Sequence, residues 1–369
     1  MTTTRRDFMI TATMAGAAAA TSRSSAQEEP GVEKPEKATR QASRRYRPDV
    51  RFGLGGVAIG NGFRVTPDDD AEQALAAAWE AGVRYFDTSP WYGLGLSERR
   101  FGHFLDDQKR EDFVLSTKIG RILVPDRDFK HGMWKGDLGF NYRYDYTAEG
   151  ARRSVEDSLQ RLGLSSIDIV FIHDLSSDNQ DMKEKWTEFF DIAAKGAMPE
   201  LSRMRDEGLI KGWGFGVNTA EPILKALEVS DPDIFLAATQ YSLMKHEDAL
   251  EKLFPACEEH GASIVVGAPL NAGFLAGLDR YDYSGTIPAG FKEKRGEMKR
   301  IAGKHDVDLR TAALQFTAAP PVVAATIPGA RDAAQARENA ESMKAVIPAA
   351  FWAELKEQKL IAANAPVPA

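Results

Sequence analysis

The chain has 369 residues, 43% apolar and 27% charged, an ordinary soluble-enzyme composition, long enough for one large barrel or two smaller domains. A formal net charge of −7 gives no electrostatic footprint for nucleic acid, and no apolar run approaches the roughly 20 residues that would span a membrane. The single cysteine, Cys257, excludes an intramolecular disulfide, and in "FPACEEH" it reads as a small packing residue.

The first residues read as an address rather than as fold. Arg5 and Arg6 precede Phe8, a short and weakly apolar stretch "TATMAGAAAA" follows, and "SSAQ" offers a small-x-small cleavage point after Ala26. That order resembles a twin-arginine export signal. The alternative is an Ala/Thr-rich tail that carries two arginines by chance. The signal implies loss of residues 1–26, passage through the twin-arginine translocation machinery, a bacterial periplasmic location and no stable membrane anchor. Residues 27–47 carry many charges and almost no large apolar side chains. They cannot repay the entropy of ordering and read as a disordered linker. The body of the fold is expected over 48–362, with 363–369 as a tail.

From Val50 onward short apolar runs alternate with amphipathic segments. The runs are "VRFGLGGVAIG", "VRYFDTS", "FVLSTKI", "IDIVFIHD", "IKGWGFGVN", "IFLAATQYS", "SIVVGAPL" and "VVAATIPG". Two of the helical segments start at residue types that favour the N-cap, Asp68 to Asp70 and Thr147, and end on Gly82 and Gly163. Strand–helix alternation means parallel strands with crossover helices. Eight in succession predict a single-domain α/β fold, the closed (β/α)8 TIM barrel, with a doubly wound open sheet as the alternative. Two connections, 120–146 and 271–290, are longer than the helices need. Both follow strands, which places them at the C-terminal face where barrel active sites are built.

Polar residues end several otherwise apolar strands. Asp87 ends the second, Lys118 the third and His173 the fourth, while Tyr92 lies just past the second. A barrel would bring all four to one mouth. A phenol has an ordinary pKa near 10. A nearby ammonium favours its ionised form, and a carboxylate keeps that ammonium charged and aimed. A histidine can donate to a carbonyl oxygen or assist the proton. Singly, each has a plain structural role: an Asx turn, a surface charge, a packing ring, a histidine bonded to Asp174. Jointly they form a proton donor and acceptor without an electron source.

At these residues the chain resembles the aldo-keto reductase family. "FDTSPWYGLGLSE", "LSTKIG" and "DIVFIHDL" match that family's motifs in order, followed by "GFGVN", "GAPLNAGFL" and "TIPGARDAAQARENAES". The match covers roughly 50–345, and within the family it is most similar to the aldose and fucose dehydrogenase-like branch. The resemblance implies a catalytic tetrad of Asp87, Tyr92, Lys118 and His173, with Tyr92 as general acid in reduction and base in oxidation. It implies NADP(H), or NAD(H), extended across the mouth, and a small-molecule aldehyde, ketone or sugar as substrate. Tyr241 would stack on the nicotinamide. The loop from Asn271 through Gly273 to Leu275 would wrap the pyrophosphate, Arg331, Gln335 and Asn339 would hold the adenosine end, with Arg331 suiting a 2′-phosphate, and Pro269, Leu270 and Gly329 would also contact the cofactor. Many relatives have a Ser-Asn pair ending the fifth strand. Here Gly216 and Val217 align, with Asn218 one place later. Where a glutamine is common three places before the stacking tyrosine, this chain has Ala238, with Gln240 adjacent. Asn218 and Gln240 are carried as cofactor contacts in their place. Trp91 and Trp134 would form aromatic walls for substrate.

Other patterns fail on inspection. "GLGGVA" at 53–58 fits G-x-G-x-x-A, but no helix follows, so a structural turn is the reading. His246-Glu247 lacks a second histidine at Leu250, and no P-loop, G-x-S-x-G elbow or grouped metal ligands occur, so no metal is expected. Two rival functions remain: a non-enzymatic nicotinamide-nucleotide redox sensor, and a barrel hydrolase or isomerase. Export raises a supply problem, since no reduced nicotinamide pool is expected outside the cytoplasm. Loading before export, retention by the 271–290 loop and resetting by a second substrate would answer it.

Overall fold

The apolar runs are too short and too apolar on both faces to be surface strands, and they assemble into one parallel sheet. In the computed structural model, whose described residues are 45–283 and 285–368, the strands in chain order are β1 (Leu54–Gly55), β2 (Tyr85–Asp87), β3 (Val114–Ile119), β4 (Arg121–Pro125), β5 (Phe140–Tyr144), β6 (Ile169–His173), β7 (Gly212–Val217), β8 (Ile234–Ala238), β9 (Ser263–Gly267) and β10 (Val323–Ile327). Eight of them pair in the order β1-β2-β3-β6-β7-β8-β9-β10, with neighbours parallel. Bridges Phe52↔Thr326 and Gly55↔Gly329 join β10 back to the β1 segment. That closure excludes the open doubly wound sheet.

The registers set the mouth. Asp87 pairs with Ser116, Lys118 with Phe171 and His173 with Gly216. The polar residue of each strand is therefore carried to the same end of the barrel. Below it the interior is filled by Tyr85, Ile169, Phe171, Ile234, Leu236, Val265 and Ile327. A second, larger cluster packs the strands against the outer helices.

Some local expectations are corrected. Thr147 caps its helix, accepting from the Gly150 amide at 3.0 Å, and Gly163 ends it in the left-handed region. Asp68 to Asp70, however, are first-turn residues behind Pro67, with no side-chain cap; they favour the positive end of the helix dipole instead. The 120–146 connection is no plain loop, because β4 and β5 pair antiparallel from Arg121↔Tyr144 to Pro125↔Phe140.

The linker and tail boundaries also move. Tyr46 packs against the barrel floor beside Gly212, with its amide bonded to Asp233 Oδ1 at 3.2 Å. Arg47 donates to the carbonyls of Pro321 and Val323, each at 2.8 Å. The ordered body thus includes residues 45–47, which the composition assigns to the linker. At the other end the Ala362 amide donates to His246 Nε2 at 3.0 Å, and Ala365 is buried, so the tail is packed. Residues 1–26, which the sequence suggests as an export signal, and 27–44, which it suggests as linker, lie outside the described residues. Among the described residues no helix is long and apolar enough to cross a membrane.

Candidate active site

The short strand β2 delivers Asp87 to the mouth, and the turn after it carries Tyr92 over the barrel opening. That turn is held by a close approach: a Cβ on Gly93, at φ +64°, would lie 2.4 Å from the Gly60 carbonyl oxygen. Only glycine fits there. Lys118 reaches inward from β3, where both its side chain and that of Asp87 are buried. Its Nζ lies 2.9 and 2.8 Å from the two Asp87 carboxylate oxygens and 2.7 Å from the Thr88 carbonyl. All three ammonium protons are so committed. Ser116 donates a further bond to Asp87 Oδ1 at 2.6 Å. Gly216 makes room for the lysine stem, since a Cβ there would sit 3.2 Å from Phe171 Cβ and 3.4 Å from Lys118 Cε.

The four tetrad residues meet as the strand ends imply. Lys118 Nζ lies 4.5 Å from the centre of the Tyr92 ring, and the Tyr92 and His173 rings are 5.7 Å apart, edge to face. The electrostatics differ from the expectation that Lys118 lowers the phenol pKa. Burial pushes Tyr92 well up, and Asp87 adds to the rise. The ammonium sits against the ring face with its charge spent on Asp87, so the phenol holds its proton. Burial also pushes the Asp87 carboxyl up and the Lys118 ammonium down, with their mutual attraction opposing both. His173 is driven well down by burial, then by Lys118 and Arg121, and stays neutral.

Sequence reasoning missed the next layer. Arg121, the first residue of β4, is buried and pairs with Asp174 at 2.8 Å. Its guanidinium lies 4.4 Å from the Trp91 ring centre, 5.1 Å from Tyr144 and 5.4 Å from Tyr142. The signal was present in "HDL", where the acid after His173 needs a cation, but its partner is 53 residues away. Trp91 and Trp134 meet edge to face at 5.5 Å and pack with Tyr92 and Leu94 under the β4–β5 hairpin. Both tryptophans line the mouth.

A cavity of about 1360 Å³ runs from the tetrad outward. Asn218, Gln240, Pro269, Leu270, Gly273, Gly329, Arg331, Gln335 and Asn339 all line it. Tyr241 does not. Its ring stacks on Phe316 at 5.0 Å, tilted 5°, beside Phe254, inside the core against the outer helices. Gln240 and Tyr241 lie in the bend that follows β8, which turns Gln240 to the cleft and Tyr241 into the core. Asn271 and Leu275 are likewise buried away from the cavity; Asn271 pins the loop by donating to Asp282 Oδ1 at 2.9 Å.

The same cleft carries a group of cations. Arg331 donates to the carbonyls of Gly62 and Arg64 and to the Thr66 hydroxyl, bracing the 62–66 turn. Arg64 and Arg280 also line this cleft. Burial, then the charges of Arg64 and Arg280, push Arg331 down to about 10. Like charges held together in a cleft form a seat for an anion. Gln335 serves the adjacent helix start: its amide donates to Asp332 Oδ1, its side chain to Asp332 Oδ2, and its carbonyl oxygen accepts from the Arg331 amide. Cys257 is buried, and burial pushes its thiol up to about 12, as befits a packing residue.

The phenol, imidazole and ammonium at this mouth can hold and move protons. The cationic cleft opening onto it fits a phosphorylated nucleotide, an arrangement suited to a nucleotide-dependent oxidoreductase. Residues 51–359 match the aldo/keto reductase family, and the chain belongs to it: an NAD(P)-dependent carbonyl oxidoreductase. It is 37% identical over 321 residues to D-threo-aldose 1-dehydrogenase from a Pseudomonas species, covering 84% of this chain and 94% of that one. It is 33% identical over 327 residues to pyridoxal 4-dehydrogenase of Microbacterium luteolum, with the same coverage of 84% and 94%. The holo form of an aldo-keto reductase from Bacillus halodurans superposes with a TM-score of 0.63 at 23% identity, covering 88% of this chain and 98% of that one.

Proposed function

We propose that the protein interconverts a sugar carbonyl, or a small aldehyde or ketone, with its alcohol using NADP(H), with Tyr92 as the proton carrier. The observation that carries the reading is one cavity lined both by the Tyr92 phenol and the neutral His173 imidazole and by Arg331, Arg64 and Arg280. When bound, the nicotinamide supplies the hydride acceptor or donor.

The chain's own residues do the rest. In reduction Tyr92 gives its phenolic proton to the carbonyl oxygen, and the neutral His173 steadies that oxygen by a hydrogen bond. In oxidation the same phenol must first lose its proton, which its raised pKa opposes until positive charge enters the mouth. Asp87 and Lys118 fix the geometry and the local charge. Trp91 and Trp134 offer a flat apolar wall, while Asp174, Asp178, Asn179, Gln180 and Asn218 line the same cavity with polar groups. Rings over one face and hydrogen-bonding groups at the edge suit a polyol, in keeping with the aldose dehydrogenase among the relatives. Arg331 and its neighbours support a 2′-phosphate, hence NADP over NAD.

The measurement that tests this is nicotinamide absorbance with a panel of aldoses and aldehydes, using either nucleotide. Turnover with the phosphorylated nucleotide is expected, falling by about 10²–10⁴ in Tyr92→Phe with nucleotide binding retained. Nucleotide binding without turnover on any member of the panel would favour the sensor reading. The paired arginines ahead of Phe8 further support export by the twin-arginine route with the nucleotide already aboard. Rapid exchange of bound nucleotide in the purified protein would rule out that retention.

A further inference from the structure

We propose that Ser89 is a positioning residue: its hydroxyl fixes His173 in the Nε2–H tautomer, so that the imidazole offers the substrate oxygen a donor and never an acceptor. The proton count at one buried oxygen leads to this. Ser89 lies two residues after Asp87 and is fully buried. The Trp91 amide donates to its Oγ at 3.1 Å, and the same Oγ lies 3.1 Å from His173 Nδ1. A serine oxygen has one proton to give and two lone pairs to receive. With the Trp91 amide on one lone pair, the serine proton needs an acceptor, and His173 Nδ1 is the one at hydrogen-bond distance.

Were the proton on Nδ1 instead, Ser89 would accept two bonds, and its own buried proton would have nowhere to go. An unsatisfied buried donor is costly. The groups facing the ring from other elements agree. Lys118 from β3 and Arg121 from β4 oppose a second proton on it. Asp174 Oδ1 lies 3.5 Å from Nε2 and favours a proton on that nitrogen. Tyr92 presents its ring edge at 5.7 Å. Ser89 also ties the backbone of Trp91 to the imidazole, so one hydroxyl sets both the wall and the donor.

The kinetic part of the test rests on the oxidoreductase reading, whereas the tautomer part needs no turnover. Nitrogen-15 NMR of the full chain, with His173 identified by comparison with His173→Gln, is expected to show a bare Nδ1 and a protonated Nε2. A protonated Nδ1 would overturn the proposal whatever the activity. In Ser89→Ala, kcat for carbonyl reduction should fall about tenfold, the loss of one oriented hydrogen bond, with nucleotide affinity unchanged. In the His173→Gln background the same change should cost nothing more. An equal loss in both backgrounds would make Ser89 a merely structural residue and refute the positioning role. Should Ser89→Ala fail to fold, the NMR of the unaltered chain still decides.

Discussion

At the scale of the residue, the buried Lys118–Asp87 pair is where burial and charge oppose each other most directly. Each ion is desolvated, and each is tolerable only while the other is present. Lys118→Met should therefore lower unfolding stability by about 3–5 kcal/mol, because it strands a carboxylate in the interior. Asp87→Asn together with Lys118→Met should recover part of that loss. Urea titration of the three variants at neutral pH measures it, and equal stability of single and double variants would contradict the account. Asp87, Lys118 and His173 were legible in the sequence because, although each alone has a plain structural role, polar residues closing three successive apolar strands point jointly to one mouth. The Tyr92 acidity was not legible. Residue types suggest that an ammonium lowers a phenol pKa; the geometry turns the ammonium's three protons to Asp87 and Thr88 and leaves burial dominant.

At the scale of the element, two long connections decide how the mouth is covered. The β4–β5 hairpin follows from "RILVP" and "FNYRY", two extended runs whose pairing period was hidden by the aromatic and glycine content between them. It sets Arg121 beneath Trp91 and so gives the wall its fixed charge. The 271–282 segment is pinned by Asn271 to Asp282, and the Arg280 guanidinium lies 3.9 Å from the Phe63 ring centre, bringing it against the turn after β1. Asp282 is pushed up to about 6, chiefly by burial. A carboxyl whose folded pKa lies above its unfolded value near 3.9 binds more protons folded than unfolded between those values. Stability therefore falls as pH rises through about 4 to 6. Asp282→Asn should escape this: its Tm relative to the parent should rise across that window and stay higher at pH 7.5. Parallel Tm curves for parent and variant from pH 4 to 7.5 would remove Asp282 as the titrating group. The sequence marked this segment as functional by its length, but not Asp282, since nothing local shows that a carboxyl will be buried.

At the scale of the whole molecule, the barrel separates stability from chemistry. The floor is closed by Tyr46, which composition assigns to a solvated linker; its side chain packs beside Gly212 of β7, and its amide is bonded to Asp233, the residue before β8. Tyr46→Ala should cost about 1–3 kcal/mol of stability and leave kcat unchanged, because it lies at the opposite end from the tetrad. A fall in kcat at unchanged stability would refute that separation. By itself the sequence determined the alternation of strand and helix, hence the parallel barrel, and the identity of the three residues that close apolar strands with Tyr92 just beyond one of them, because both follow from local period and from polarity placed against an apolar run. Tertiary structure alone decided which neighbours share the mouth: Arg121 with Asp174, the arginines of the cleft, the burial that keeps Tyr92 protonated. It also turned Tyr241 inward to Phe316 while Gln240 faces the cleft. Those choices depend on which faces the closed barrel buries, and a face is a property of the assembled sheet rather than of any stretch of chain.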